Sequence, residues 1–206
     1  MIGAWYLDEG EGSKAWDRSG NEHHGAIFHA AWQEVDNRKA LYFDGFNSRI
    51  VVESSEKLQI TGDITVCARI YKTRNNRGKR WDAILTKNPG VWDFELLTSM
   101  AKTDQPAFFS PACTPQEVYA GEQIAIGRWQ HLAMARHGDV ATFFLDGRAT
   151  SSRKMSGMFP RSDGALMIGH DGDKGGRGFG LRGSLREVLL FSRALTEDEI
   201  RNIAND

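Results

Sequence analysis

The oxygen-bearing side chains of one short loop are the first residues of this chain whose types and spacing suggest chemistry. Asp17 and Asn21 stand four residues apart around Ser19-Gly20, a turn signal because glycine accepts positive φ and asparagine bonds to its own backbone. Hard oxygen ligands in a tight loop between strands suit Ca²⁺. The same residues also fit an Asx turn that merely reverses the chain. The residues alone leave both interpretations open.

A run of positive charge forms a second candidate site. Residues 72–80 carry five cations and no acid, and Trp81 follows them: Lys72, Arg74, Arg77, Lys79 and Arg80. Such side chains pair with the sulfate or carboxylate groups of a polysaccharide, and a solvated loop is the alternative. Nucleic acid is not expected as a partner, because it needs a wider basic surface and the formal net charge here is −1.

The carboxylates do not form a recognisable glycosidase arrangement, which needs two acids across the scissile bond. Asp93 and Glu95 occupy positions i and i+2 and would share one face of a strand, but Leu97 and Thr98 stand where a third acid would follow. The six histidines show no zinc-type spacing. We therefore expect no catalytic activity; a lyase or hydrolase with Tyr71 or His131 as its base is the enzymatic alternative.

The elements that must position these residues are nearly all β-strands. Over 63–71, apolar residues on one face alternate with Thr65, Cys67, Arg69 and Tyr71 on the other, which is the period of a half-buried strand. Asp146-Gly147 predicts a hairpin. Many short strands without interleaved helices indicate a closed or two-sheet β architecture.

One helix is predicted, at the C-terminal end. Thr196 and Glu199 have the spacing of a capping box, and such a helix is expected to cover a sheet edge or the end of a sandwich. No domain boundary is visible, so residues 1–206 are predicted to form a single domain. No apolar run approaches the length of a transmembrane helix, and the first residues lead into a strand pattern instead of a signal peptide.

Cysteine usage adds little to these predictions. Cys67 and Cys113 are too few for a disulfide framework or a thiolate zinc site. A buried free thiol is expected at Cys67, and a single bridge between the two cysteines is the alternative.

Taken together, several short pieces resemble the LamG-like (laminin G/pentraxin-type) concanavalin A-like jelly rolls. The pieces follow the family's order over nearly the whole chain: Trp5–Gly10, Asp17–Asn21 with His24-Gly25, Leu41–Gly45, Ile64–Ala68, Trp129–Ala133, Phe144–Gly147, Ile168-Gly169, Leu185–Val188 and Arg193–Thr196. The resemblance implies an all-β, two-sheet antiparallel sandwich whose first and last strands lie side by side.

The resemblance also implies a structural Ca²⁺. Its ligands would be Asp17, Asn21, a main-chain carbonyl near His24, and Glu187 from the last strand. Arg186 stands where the family often has an acid, and this departure brings a cation close to the expected ion. Arg69 and Arg136 replace family aromatics and are expected on the concave face, where jelly-roll lectins bind sugar.

The resulting prediction is a non-catalytic, lectin-like module that binds polysaccharide or glycan and belongs to a larger secreted or cell-surface protein. The residues expected at the glycan are Arg69, Trp81, Trp92, Arg136, His170 and Asp171. Laminin G-type modules often use basic loops to bind anionic chains, which would give the 72–80 run its role. A protein–protein interaction or spacer module without glycan binding is the alternative.

Overall fold

Short strands make up most of the chain in the computed structural model, which describes residues 1–74, 81–98, 104–172 and 179–206. Within these ranges the strands are β1 (Gly3–Trp5), β2 (Lys14–Ala15), β3 (Gly25–Phe28), β4 (Ala31–Val35), β5 (Arg38–Asp44), β6 (Arg49–Val52), β7 (Ile64–Lys72), β8 (Asp82–Lys87), β9 (Phe94–Thr98), β10 (Pro106–Phe109), β11 (Glu117–Tyr119), β12 (Trp129–His137), β13 (Val140–Leu145), β14 (Arg148–Lys154), β15 (Leu166–Ile168) and β16 (Arg182–Phe191). A 3₁₀ turn spans Glu56–Leu58, and helix α1 spans Glu197–Asn205.

The strands form two eight-stranded sheets. Sheet 1 has the order β14-β13-β12-β7-β16-β5-β4, with β1 also paired to β16, and sheet 2 has the order β11-β10-β9-β8-β15-β6-β3-β2. Every strand pair within them is antiparallel. The predicted all-β jelly-roll sandwich is confirmed.

The core lies between the two sheets. The alternation read along β7 is observed, because Ile64, Val66, Ala68 and Ile70 all join the central apolar cluster. The residues that alternate with them along β7 point to the outer face of sheet 1. Both cysteines are buried free thiols, as expected for Cys67.

The first and last strands are neighbours, as the resemblance implied. Gly3 lies opposite Leu190 and Trp5 opposite Val188 in an antiparallel register. Trp5 is fully buried, and its indole N–H donates to the carbonyl of His23 at 2.8 Å. The N-terminal strand is therefore joined both to the end of the sheet and to the loop that contains Asp17.

The predicted capping box is present at the start of α1. The Thr196 hydroxyl accepts from the Glu199 backbone N–H, and the Glu199 carboxylate accepts from the Thr196 N–H. Ile200 is fully buried in a second apolar cluster on the outer face of sheet 1, together with Cys67 and Leu189. The helix therefore covers part of the outer face of sheet 1 and also contacts β14, the strand at the edge of that sheet.

The Asp146-Gly147 turn forms the predicted hairpin between β13 and β14. Both turn residues have positive φ, 49° and 76°, as a type I′ turn requires. No helix in the described ranges is long and apolar enough to cross a membrane.

Candidate functional site

The Asp17 carboxylate is the centre of a hydrogen-bond network that joins its loop to β1. One carboxylate oxygen accepts from the backbone N–H groups of Ala4 and Ser19, each at 2.8 Å. The other accepts from the Ser19 hydroxyl at 2.7 Å and the His23 N–H at 2.9 Å. Burial alone would raise the pKa of Asp17, but these hydrogen bonds from Ser19, Ala4 and His23 lower it.

The other predicted calcium ligands are also engaged elsewhere. The Asn21 amide oxygen accepts from the Lys57 ammonium at 2.6 Å. The main-chain carbonyl of His23, next to His24, accepts from the Trp5 indole N–H at 2.8 Å, and the His24 ring accepts from the Asp17 backbone N–H at 3.0 Å. Glu187 faces Arg69, whose Nε lies 3.6 Å from its carboxylate. Among the described residues there is no group of three or more His, Cys, Asp or Glu side chains placed to hold a metal ion. In this arrangement the donor atoms do not fit a Ca²⁺ site, and the loop has the Asx-turn geometry of the alternative interpretation.

The calcium prediction has a direct test in thermal unfolding. Because internal donors already satisfy the Asp17 carboxylate, we expect the same unfolding midpoint in millimolar CaCl₂ and in EDTA, measured by circular dichroism. A midpoint that rises with calcium concentration would restore the predicted site, since a ligand that binds the folded state stabilises it. Asp17→Asn serves as the control, because it should remove any calcium-dependent rise.

The two arginines expected on the concave face have other roles in the structure. Arg69 lies on the outer face of sheet 1, where its guanidinium donates to the carbonyls of Ile203 at 2.6 Å and Ala204 at 3.1 Å. It thereby caps the last turn of α1. Arg136 is buried and donates to the carbonyls of Gly62, Met155 and Gly157. Both guanidinium groups are therefore engaged with main-chain carbonyls, and their expected part in glycan binding stays a prediction.

The other four residues predicted at the glycan surround the middle of sheet 2. Trp81 precedes β8 and packs its half-buried ring 5.5 Å from that of Phe179. Trp92 is half-buried before β9 and has a positive φ of 60°. His170 and Asp171 are buried after β15, and His170 Nε2 lies 2.8 Å from the carbonyl oxygen of Phe46. Their role in binding stays a prediction.

The predicted basic patch is divided by the fold. Lys72 is fully buried, with Nζ 3.1 Å from an Asp82 oxygen and bonded to the Asp104 carboxylate. It therefore belongs to an interior ion cluster and not to a surface patch. Arg74 is exposed. The remaining three cations of the prediction, Arg77, Lys79 and Arg80, lie outside the described residues.

The two carboxylates considered for glycoside hydrolysis, Asp93 and Glu95, have separate environments. Asp93 accepts from the Asn88 amide at 3.0 Å and from the Ser162 hydroxyl. Glu95 is buried, and the Thr86 hydroxyl donates to it at 3.0 Å. Burial and then the nearby charge of Asp171 raise the pKa of Glu95 to about 8.

A cleft that the sequence analysis did not identify lies beside Trp16, whose ring contacts two residues of its walls, Lys14 and His24. This Trp16 cleft has a volume of about 630 Å³, and its walls include Lys14, Asn21, Glu22, His24, Glu53 and Ser54. Gly25 forms part of its floor, where an added Cβ would lie 2.2 Å from a methyl group of Ile50. A side chain at position 25 would therefore disturb both the floor and the core beneath it.

Trp16 itself presents a solvent-exposed ring next to the cleft. Its side chain is 48% exposed. Lys14 Nζ lies 3.7 Å from the ring centroid, and the His24 ring packs edge-on at 4.8 Å. Ala15 between them is fully buried, so Lys14 and Trp16 point outwards by strand alternation. That alternation is visible in Lys14-Ala15-Trp16 and could have identified the site.

Solved structures similar to this one share the sandwich. Domain 4 of AbnA, an extracellular arabinanase from Geobacillus stearothermophilus solved with arabinotriose, matches with TM-score 0.75 and 16% identity over 98% of this chain and 97% of that one. The binding domain of Paraclostridial Mosquitocidal Protein 1 matches with TM-score 0.74 and 14% identity over 99% of this chain. A Trypanosoma rangeli sialidase matches with TM-score 0.72 and 15% identity over 98% of this chain.

These likenesses show the fold. The chain spans 51% of the mosquitocidal protein's binding domain and 32% of the sialidase. No curated protein sequence matches the chain. Residues 43–201 match the family described as the concanavalin A-like lectin/glucanases superfamily, in agreement with the two-sheet fold and with the resemblance read from the sequence. The chain belongs to the concanavalin A-like lectin/glucanases superfamily.

Proposed function

We propose that this domain binds carbohydrate without changing it covalently and that the Trp16 cleft is its sugar site. The observation that carries the proposal is an exposed indole beside a polar cleft. Sugar rings have one apolar C–H face and a polar rim, so they combine stacking on an aromatic with hydrogen bonds to neighbouring groups. The cleft provides both within one part of the surface.

The polar groups of the cleft suit sugar hydroxyls. Glu22 and Glu53 are exposed carboxylates that can accept from them, and the Ser54 hydroxyl can donate or accept. Glu22 has a positive φ of 60°, an unfavourable conformation for a residue other than glycine and one that often marks functional sites. A volume of about 630 Å³ leaves room for a short oligosaccharide.

The similar structures give this proposal support by analogy. The arabinanase domain, which is similar over nearly its whole length, was solved with a bound arabinose oligomer. Because fold does not determine function, the similarity supports the class of ligand and not the sugar. Placement in a larger secreted or surface protein is part of the same proposal. A structural Ca²⁺ at the Asp17 loop is not part of it and stays a prediction from the sequence, for which the calcium measurement above is the test.

A protein-interaction module is the second candidate. The observation that favours it is the exposure of large apolar side chains around sheet 2, among them Phe46 at 53% and Val91 at 66%. Such a module would bind no glycan at the Trp16 cleft.

We expect Trp16→Ala to weaken glycan binding about tenfold or more, because a large aromatic that stacks on the ligand carries much of the binding free energy. Binding is measured by calorimetry against a panel of neutral, uronic and sulfated oligosaccharides, arabinotriose included, in calcium and in EDTA. Trp92→Ala is the matched control, because Trp92 is half-buried and distant in sequence from the cleft.

Two outcomes would contradict this expectation. Loss of binding in Trp92→Ala with full binding in Trp16→Ala would move the sugar site to Trp92, one of the residues that the sequence analysis expected at the glycan. If no glycan of the panel binds, the interaction module becomes the better account.

A further inference from the structure

We propose that a second pocket, on the outer face of sheet 1, binds the carboxylate of an acidic ligand of monosaccharide size, such as a uronic acid. This arginine pocket has a volume of about 340 Å³, and its walls include Asp36, Arg38, Arg69, Trp129, His131 and Asp146. It is separate from the Trp16 cleft, which is built from strands of sheet 2, and the proposal does not depend on the function of that cleft.

Three elements hold the walls of the pocket in place. The turn between β4 and β5 has positive φ at Asp36 and Asn37, as a tight hairpin requires. Trp129 is tied to this turn, because its indole N–H donates to the Val35 carbonyl at 3.3 Å. Arg69 is fixed by its bonds to the carbonyls at the end of α1. The pocket is therefore preorganised on a sheet and does not need to be assembled from loops.

His131 is the buried group in the pocket that lacks a partner. Its side chain lies opposite Arg69 on the neighbouring strand, it is only 2% exposed, and neither ring nitrogen has a hydrogen-bond partner among the described residues. Buried polar groups are nearly always hydrogen-bonded. Burial and then the charge of Arg69 lower the pKa of His131 to about 4, so the neutral ring offers one donor and one acceptor.

The charges around the pocket favour an anion. In the described part of the chain, neither Arg38 nor Arg186 has an ion-pair partner. The pKa of Arg186 is lowered by burial and then by the charges of Arg38 and Arg69, which indicates mutual repulsion among three guanidinium groups. A carboxylate would relieve that repulsion and could accept a bidentate pair of hydrogen bonds from Arg38.

The acids near the pocket are only partly available to neutralise these arginines. One oxygen of the Asp146 carboxylate accepts from the backbone N–H of His131 at 2.9 Å. The other oxygen accepts from the Gln130 side-chain amide at 3.3 Å and lies 3.4 Å from the Arg128 guanidinium. Glu187 faces Arg69. Asp36 is exposed on the rim, where it can accept from a ligand hydroxyl. Together with the Trp129 wall, this arrangement suits a sugar ring that carries one carboxylate.

The experiment is a titration of the complete chain with sodium glucuronate, with glucose as the neutral comparison, followed through the ring resonances of His131 by NMR. We expect saturable shifts of the His131 ring with glucuronate and none with glucose. Arg38→Ala should weaken glucuronate binding about tenfold, the effect of losing one charge-assisted hydrogen bond or pair. Arg161→Ala is the control, because Arg161 is also an exposed arginine, pairs with Glu56, and does not line the pocket.

The result of the calorimetry with Trp16→Ala does not determine the result of the glucuronate titration. Trp16→Ala should retain glucuronate binding at His131, so failure of the Trp16 cleft would leave the arginine pocket intact. The proposal is overturned if the His131 ring does not respond to glucuronate, if glucose binds as tightly, or if Arg38→Ala binds as well as the unchanged protein.

Discussion

Glu95→Gln is expected to make the protein more stable at pH 8 and above, by an amount on the order of 4 kcal/mol. Glu95 is buried on β9, and its pKa rises from 4.5 to about 8 on folding, chiefly through burial and then through Asp171. Between these two pH values the folded state holds a proton that the unfolded state has released. The contribution of Glu95 to the free energy of unfolding is therefore fully present below pH 4.5 and is lost as the pH rises to about 8. Glutamine keeps the shape and cannot ionise.

The measurement is the free energy of unfolding in urea at intervals between pH 4 and pH 9, for the unchanged protein and for Glu95→Gln. The difference between the two curves should grow with pH and level off above pH 8. Glu34→Gln, a substitution at an exposed acid of β4, should give a flat difference. A difference for Glu95→Gln that does not vary with pH would show that the carboxyl ionises normally in the folded protein.

The unchanged protein and Glu95→Gln must be compared at each pH, because a second buried group, His131, changes the free energy of unfolding with pH in the opposite direction. The pKa of His131 falls from 6.5 to about 4 on folding, chiefly through burial. Its contribution to stability is present above pH 6.5 and is lost as the pH falls towards 4. The unchanged protein is therefore expected to show a shallow profile below pH 6.5, in which the two slopes partly cancel.

Lys72→Met is expected to lower the free energy of unfolding by about 3–5 kcal/mol, the usual effect of leaving a buried charge without its partner. Lys72 is fully buried, with Nζ 3.1 Å from Asp82 and bonded to Asp104 and to Thr98. Burial acts on the carboxyl group of Asp82 and raises its pKa, while the charge of Lys72 opposes this effect. Without the ammonium, Asp82 must either stay charged in the interior or take up a proton.

The double variant Lys72→Met/Asp82→Asn separates loss of the charge from loss of packing. We expect it to recover part of the stability lost in Lys72→Met, because one of the two buried carboxylates bonded to Lys72 is then replaced by a neutral amide. The measurement is urea unfolding at pH 7 for both single variants and the double variant. If the double variant loses the sum of the two single effects, Lys72 and Asp82 do not interact, and the buried ion pair is not what stabilises this end of the sandwich.

The fold could be predicted from local patterns with physical causes. The alternation along β7, the turn at Asp146-Gly147 and the capping box at Thr196 each depend on a few adjacent residues, and each is confirmed. Two short strands towards one edge of sheet 2, β10 and β11, are among those that the sequence analysis did not identify. Pro106 opens the first, and a proline within a run argues against a strand, although the first position of a strand tolerates it.

The site was harder to predict because side-chain roles depend on partners distant in sequence. Arg69 was read only as a possible sugar ligand, whereas its guanidinium also bonds to carbonyl groups about 134 residues further along the chain. Lys72 was counted with an exposed charge run, yet strand parity places it inside, beside Asp82 and Asp104. In both cases the strand face was readable from the sequence, whereas the partner that determines the role was not.

The pairing of β1 with β16 also determines how the domain responds to mechanical load. Because these strands are antiparallel neighbours, the chain enters β1 beside the point where it leaves β16. Tension applied to the chain before β1 and after β16 pulls at one end of the β1–β16 pairing, which is only three residues long. The hydrogen bonds of this pairing therefore break one after another and not all together. Before that, α1 must peel off sheet 1, against the bonds from Arg69 and the buried Ile200. The sandwich itself would bear little of the pull.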